Sequence, residues 1–231
     1  MSLDGREIHL VDLPGVYNLS SSTPEEEITL RYLLENTPDV VVNVVDATNL
    51  ERNLFLTLRL CDLGVPVVVA LNMWDEVEKR GLVIDVKKLE ELLGVVAIPT
   101  CALKGVGTEK LLNAVLEVSA EDRFPRPVRF SSGVERFLRE AEELVPSHLS
   151  SIKRFAAAVA LEGGVSFGEE KLSEIRRKME EFFGDYADSI LAEERFKIAS
   201  SVSRQVVRPP RDARKELTDL LDTFVDRKSV V

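Results

Sequence analysis

The 231-residue sequence has only two cysteines, Cys61 and Cys101, and two histidines, His9 and His148. The cysteines stand far apart in apolar surroundings, so they read as reduced core thiols and exclude a disulfide scaffold. The histidines are too few and too isolated for a metal site, and no His/Cys/carboxylate cluster has the spacing to hold Fe²⁺ directly. Long apolar runs are also missing. The longest, Val40 to Val45 and Val65 to Leu71, fall well short of the roughly 20 residues a membrane helix needs. No signal-peptide pattern opens the chain. Positive charge is in the minority: 30 Lys+Arg against 40 Asp+Glu give a net charge of -10, which argues against nucleic acid as a partner. These absences leave a soluble, cytoplasmic piece whose 45% hydrophobic content suffices for a proper core.

What is present falls into two halves. The first alternates β-rich runs with helical patterns, the signature of a mostly parallel sheet with crossover helices. Glu7 to Val11 reads as a strand. Pro24 to Glu35 reads as a helix, announced by Ser22 and Thr23 ahead of the acidic run Glu25 to Glu27. Val40 to Val45 and Val65 to Leu71 read as buried strands, because they are nearly continuous in apolar residues. Between them Asn53 to Leu63 carries Leu54, Leu58 and Cys61 on one helical stripe. Val86 to Leu93 is predicted helical, Val95 to Pro99 a short strand, and Glu109 to Val118 a closing helix. Phe124-Pro125-Arg126-Pro127 then breaks the pattern. Beyond it no strand is expected. Val134, Phe137, Leu138 and Ala141 follow helical spacing, as do Leu172, Ile175, Met179 and Phe182, and Leu217, Leu220, Leu221 and Phe224. The predicted domains are residues 1–123, α/β, and residues 127–231, all-α.

Three short motifs sit at the carboxyl ends of predicted strands. In Asp12-Leu13-Pro14-Gly15, the aspartate can hold Mg²⁺ through water and the glycine lets a backbone N–H approach a terminal phosphate. In Asn72-Met73-Trp74-Asp75, a carboxylate can accept from guanine N1–H and its 2-amino group, whereas adenine would leave it unpaired. Asn72 would bridge neighbouring loops and the base edge. In Thr100-Cys101-Ala102-Leu103-Lys104-Gly105, backbone amides after a small residue can donate to guanine O6. Each motif alone also suits an ordinary strand exit or helix cap. Their order decides otherwise: about sixty residues separate the first two and about thirty the last two, and ligands of open α/β sheets bind at those strand ends. The candidate nucleotide-binding residues are therefore Asp12, Gly15, Asn72, Met73, Asp75, Cys101, Ala102 and Leu103.

These residues resemble the translation-factor-like GTPases, and within them the family of FeoB, the ferrous iron transport protein B of prokaryotes. Leu13 to Leu19, the run from Val44 through Asp46, Ala47 and Thr48 to Leu54, and Cys101 to Gly107 carry the resemblance. The helical second half, through Arg204 to Pro209 and Leu217 to Arg227, resembles the helical spacer between that family's G domain and its membrane pore. The resemblance implies GTP/GDP and Mg²⁺ as cofactors, the pore region of the full-length protein as a partner, and a place on the cytoplasmic face of the membrane. The fold implied is α/β, a truncated P-loop GTPase-like sheet followed by an all-α domain. Two other readings stand beside it: a non-catalytic interaction module coupling a G domain to a membrane pore, and a fragment of another translation-factor-like GTPase.

Several positions depart from the family's pattern. No G-x-x-x-x-G-K-[ST] run occurs, and the nearest stretch, Gly163 to Glu169, has an acidic residue where the lysine belongs. Met73 stands where many GTPases carry a lysine, and Val16 where others carry a glutamine that orients water. No catalytic base is therefore assigned. The expectation is that guanine recognition is retained, while phosphate binding and hydrolysis are lost. In the resembling fold the first strand lies between Glu7 to Val11 and Val40 to Val45. Without it the sheet exposes an edge, which predicts self-association or direct pairing of those two strands.

Overall fold

The computed structural model describes residues 2–3, 6–19, 23–121 and 123–209. The predicted helix around Leu217 to Arg227 lies outside the described residues. In chain order the strands are β1 (Ser2–Leu3), β2 (Arg6–Glu7), β3 (Val41–Asp46), β4 (Val67–Asn72), β5 (Val83–Ile84), β6 (Val96–Pro99) and β7 (Val207–Arg208). The helices are α1 (Pro24–Glu35), α2 (Leu50–Cys61), α3 (Trp74–Lys79), α4 (Val86–Leu93), α5 (Thr108–Ala120), α6 (Ser132–Glu142), α7 (Lys153–Leu161), α8 (Glu169–Phe183) and α9 (Ala187–Val206). Among these helices none is long and apolar enough to cross a membrane.

The chain forms two compact units, residues 1–38 with 130–191, and residues 39–129 with 192–231. The second unit holds a three-stranded sheet of order β3-β4-β6, parallel throughout. β4 is its centre. Val67 to Leu71 are all buried, as a central parallel strand covered on both faces requires. On one face lies α2, whose Leu54, Leu58 and Cys61 are buried as a single stripe. A buried Asn43 Nδ2 donates to Thr57 Oγ1 at 2.8 Å and joins β3 to that helix. On the other face Val68 packs with Ala114 and Val118 of α5, flanked by Val96, Ile98, Leu111 and Val115. Register places Val42 and Val44 on that same face, opposite Val68 and Ala70. They remain 37% and 61% exposed, since the α5 cover centres on β4 and β6. Both thiols are free and buried, and burial together with the Asp62 charge pushes the Cys61 thiol up, far above the neutral range.

The helices begin and end where side chains satisfy their termini. Thr23 Oγ1 accepts the Glu26 N–H at 3.2 Å, ahead of Pro24 and the acidic first turn of α1. Asp85 Oδ1 accepts the Lys88 N–H at 3.0 Å to open α4, and Gly94 closes it in the left-handed region.

In the first unit α6, α7 and α8 pack together. Val134, Phe137, Leu138 and Ala141 are all buried on α6, matching the predicted stripe. On α8 Leu172, Ile175 and Met179 are buried, while Phe182 is 60% exposed and meets Phe137 edge-on with ring centres 6.0 Å apart. Arg154 forms a two-point pair with Glu135, the contacts being 2.7 and 3.2 Å, and reaches Glu142 at 3.6 Å. Arg176 donates to the carbonyls of Ala160 and Leu161 and so caps the end of α7.

Two expectations are corrected. Of the predicted strand Glu7 to Val11 only Glu7 is in a strand, at the end of β2, which pairs antiparallel with β1 and not with β3. Its apolar residues mislead: Leu10 is 82% and Val11 51% exposed, so this run does not mark a buried strand. A strand also appears beyond the proline break. β7 pairs antiparallel with β5, its partner from the α/β half, and Asp85 N–H donates to Val206 O at 2.8 Å beside it. A two-residue ladder has no hydrophobic period to announce it.

Candidate functional site

The sheet of the second unit carries Asp46, Asn72 and the Thr100–Cys101 exit at its carboxyl end, the edge at which open α/β sheets hold ligands. Asp46 lies opposite Asn72 in register and accepts from Thr48 N and Oγ1 at 2.9 and 2.7 Å. That contact fixes the turn from β3 into α2.

Two backbone bonds hold the exits of β4 and β6 together. Thr100 N–H donates to Leu71 O at 2.9 Å, and Trp74 N–H donates to Thr100 O at 3.1 Å. Between them Met73 adopts φ 61, alone among the described non-glycine residues in having positive φ. Such a conformation costs an unbranched side chain about 1 kcal/mol or more and persists where surrounding contacts enforce it. It turns the chain sharply, so that α3 starts at Trp74 with Asp75 in its first turn.

The second loop is closed by a pair of backbone bonds, Cys101 N–H to Val106 O at 2.9 Å and Val106 N–H to Cys101 O at 3.2 Å. Inside it Ala102–Lys104 form one 3₁₀ turn. Gly107 has φ +84, and a Cβ there would collide with the carbonyl oxygen of Pro99 and sit 3.2 Å from Thr100 Cα.

Side chains then join the two loops. Asn72 Oδ1 accepts the Ala102 N–H at 3.0 Å. Ala102 therefore does not offer the free amide that the sequence suggests; Leu103, the next residue of the turn, is fully exposed. Lys104 Nζ lies 2.7 Å from Asp75 Oδ2. This ammonium, and then the Cys101 thiol, hold the Asp75 carboxyl below the usual carboxylate range, while the same contact raises Lys104. Asn72, Met73, Asp75, Cys101, Ala102 and Leu103 are thus brought to one place. Lys104 joins them unannounced: no periodicity links positions 75 and 104, which meet because their strands are parallel neighbours.

Asp12 and Gly15 belong to the first unit, in an irregular segment before α1. Both are exposed, and a Cβ on Gly15 would meet nothing within 4 Å. The segment is held by Leu19, fully buried, and by Thr29 Oγ1 donating to Pro14 O at 3.4 Å. Among the described residues no three His, Cys, Asp or Glu side chains group as metal ligands. Asp12 by itself supplies a single exposed carboxylate.

Comparison with known proteins identifies the family. The family model for ferrous iron transport protein B matches residues 1–115. The cytosolic domain of L. pneumophila FeoB is 33% identical with a TM-score of 0.73, over 85% of this chain and 79% of that one. The chain belongs to the ferrous iron transport protein B family. NFeoB from S. thermophilus in its mGMPPNP-bound form is 33% identical with a TM-score of 0.74, over 84% of this chain and 78% of that one. The Fe(2+) transporter FeoB of Legionella pneumophila (strain Lens) is 33% identical over 94% of this chain, and that of Escherichia coli (strain K12) 37% over 71%. This chain covers 30% and 22% of those two proteins. It therefore spans less than a third of their length.

Proposed function

We propose that these residues form the guanine-recognition part and the helical spacer of a GTP-regulated ferrous iron transporter, on the cytoplasmic face of the membrane. The observation that carries the reading is the joining of two strand-end loops by Asn72 Oδ1 and the Ala102 N–H at 3.0 Å, beside the Asp75 carboxylate. Asp75 would accept from guanine N1–H and the 2-amino group, and the Leu103 N–H would donate to O6. Relatives bound to GDP and to GMPPNP support a guanine nucleotide as the ligand. The division proposed is a G domain over residues 1–123 and a spacer over 127–231 that couples nucleotide state to the pore.

The sequence contains no G-x-x-x-x-G-K-[ST] run, so these residues alone lack the amides and lysine that grip β- and γ-phosphates. The proposal is accordingly weak binding through the base, with Mg²⁺ entering only together with the nucleotide, and no hydrolysis. Among the described residues β3 pairs only with β4, and that open edge further supports self-association. Titration of a fluorescent GDP analogue with Mg²⁺ tests the central reading, with Asp75→Ala and the adenine analogue as controls. Saturable, guanine-selective binding that Asp75→Ala abolishes supports it. Equal binding of both bases, or none, overturns it.

A further inference from the structure

Lys104 leaves the turn after β6 and reaches back across the sheet end to Asp75, 29 positions earlier. The carboxylate has a second lysine nearby, Lys79 on its own helix, but that Nζ is 3.9 Å from Asp75 and 2.5 Å from Glu76. Lys104 is therefore the cation that holds Asp75. The Cys101 thiol, from the same loop, also lowers the Asp75 carboxyl. A carboxylate offers about four lone-pair sites. Lys104 occupies one of them on Oδ2, which leaves acceptor sites for guanine's N1–H and 2-amino group.

Rotamer freedom explains why such a clamp matters. Asp75 is the second residue of α3, with its side chain 26% exposed. A free side chain there would lose rotamer entropy on meeting a ligand, and a two-point contact is more sensitive to a misplaced carboxylate than a one-point contact. We propose that Lys104 is a positioning residue that determines base specificity: its ammonium fixes the Asp75 carboxylate so that paired donors on a purine are preferred to a single donor. The inference rests on Asp75 being the base-binding carboxylate.

Hypoxanthine is the discriminating probe, because it keeps N1–H and O6 and lacks the 2-amino group. GDP and IDP would compete against a fluorescent GDP analogue on the wild-type chain and on the Lys104→Met, Lys104→Arg and Asp75→Ala variants. The expected result is a several-fold loss of GDP affinity in Lys104→Met with IDP nearly unchanged, so that the guanine preference shrinks. Lys104→Arg, whose guanidinium can also donate to Oδ2, restores the preference. An unchanged preference in Lys104→Met overturns the inference. So does an equal loss for both nucleotides that Lys104→Arg fails to rescue, since that pattern marks a structural role. Asp75→Ala separates the two readings. If it loses guanine binding while Lys104→Met behaves as wild type, only the role of Lys104 falls. If it binds GDP like wild type, or if wild type binds nothing, the site reading falls and this inference with it.

Discussion

Asn72 Oδ1 accepts the N–H of Ala102 at 3.0 Å, so one side chain spans the loops that leave β4 and β6. Its loss leaves the 3₁₀ turn held by the Cys101–Val106 backbone pair. Asn72→Ala is expected to cost about 1 kcal/mol of stability, the usual net worth of one such bond. Guanine binding should fall by more than that figure implies, because two recognition loops lose their common register. Urea unfolding and the fluorescent titration, run on the same sample, check both parts. A variant that binds as wild type does would remove Asn72 from the site.

Gly107 offers a sharper stability test. Its φ of +84 is strained for any L side chain, and an added Cβ strikes the Pro99 carbonyl oxygen at the end of β6. Strain of about 1–2 kcal/mol and a backbone collision add together here. Gly107→Ala is expected to lower stability by about 2 kcal/mol or more, read as the shift of the urea midpoint. A midpoint within error of wild type would mean that the loop opens without cost.

Much of this architecture is legible in the sequence. The α4 prediction, Val86 to Leu93, matches the helix end for end, because Asp85 and Gly94 are local caps that any sequence displays. The same holds for α1, capped by Thr23 and opened by Pro24. The run Val65 to Leu71 announces β4, since a strand covered on both faces has no polar alternation to disguise it. The valines of β3 announce a strand but not its burial: Val42 and Val44 stay exposed on one face, so β3 is buried on one side only. What failed was non-local. β7 exists only because β5 lies alongside it, and Leu10 and Val11 look like strand residues while remaining exposed. The candidate site divides in the same way. Asn72, Asp75 and Ala102 were legible as motifs after strands, whereas the Lys104–Asp75 pair and the Asn72 hold on Ala102 depend on which strands are neighbours. Residues 1–38 grouping with 130–191 is a property of packing that composition does not encode.

In the helical unit the Arg154–Glu135 pair is 18% and 15% exposed, with Glu135 Oε1 also accepting the Phe130 N–H at 2.9 Å. Removing the arginine leaves Glu135 and Glu142 facing each other without their shared cation. Arg154→Met is expected to cost about 3 kcal/mol, in the range for breaking a largely buried pair. The double variant Arg154→Met with Glu135→Gln should recover part of it, because the stranded charge is gone. Equal stability of the single variant and wild type would reduce the pair to a surface contact.

The open side of β3 predicts behaviour in solution. Val44 is 61% exposed on a strand that pairs, among the described residues, only with β4. Static light scattering across a concentration series should show association in wild type and less of it in Val44→Lys, since a lysine on an edge strand opposes pairing. A wild-type mass that stays monomeric at every concentration rules out association through this edge.

The Lys104–Asp75 pair fixes the direction of a pH effect. The folded-state pKa of Asp75 is depressed below its unfolded value of about 3.9, by the Lys104 ammonium first and the Cys101 thiol second. A carboxyl depressed on folding contributes stability that is complete above the unfolded pKa and is lost as pH falls through the lower folded value. The stability difference between wild type and Lys104→Met should therefore stay level from neutral pH down to about 5 and close on further acidification, below about 4. Both side chains keep contact with solvent, so the difference is small and should shrink at high salt, as screening of an exposed pair demands. Urea midpoints at several pH values, in low and high salt, give both trends. A difference that widens on acidification would reverse the sign and show that Asp75 is held in its neutral form.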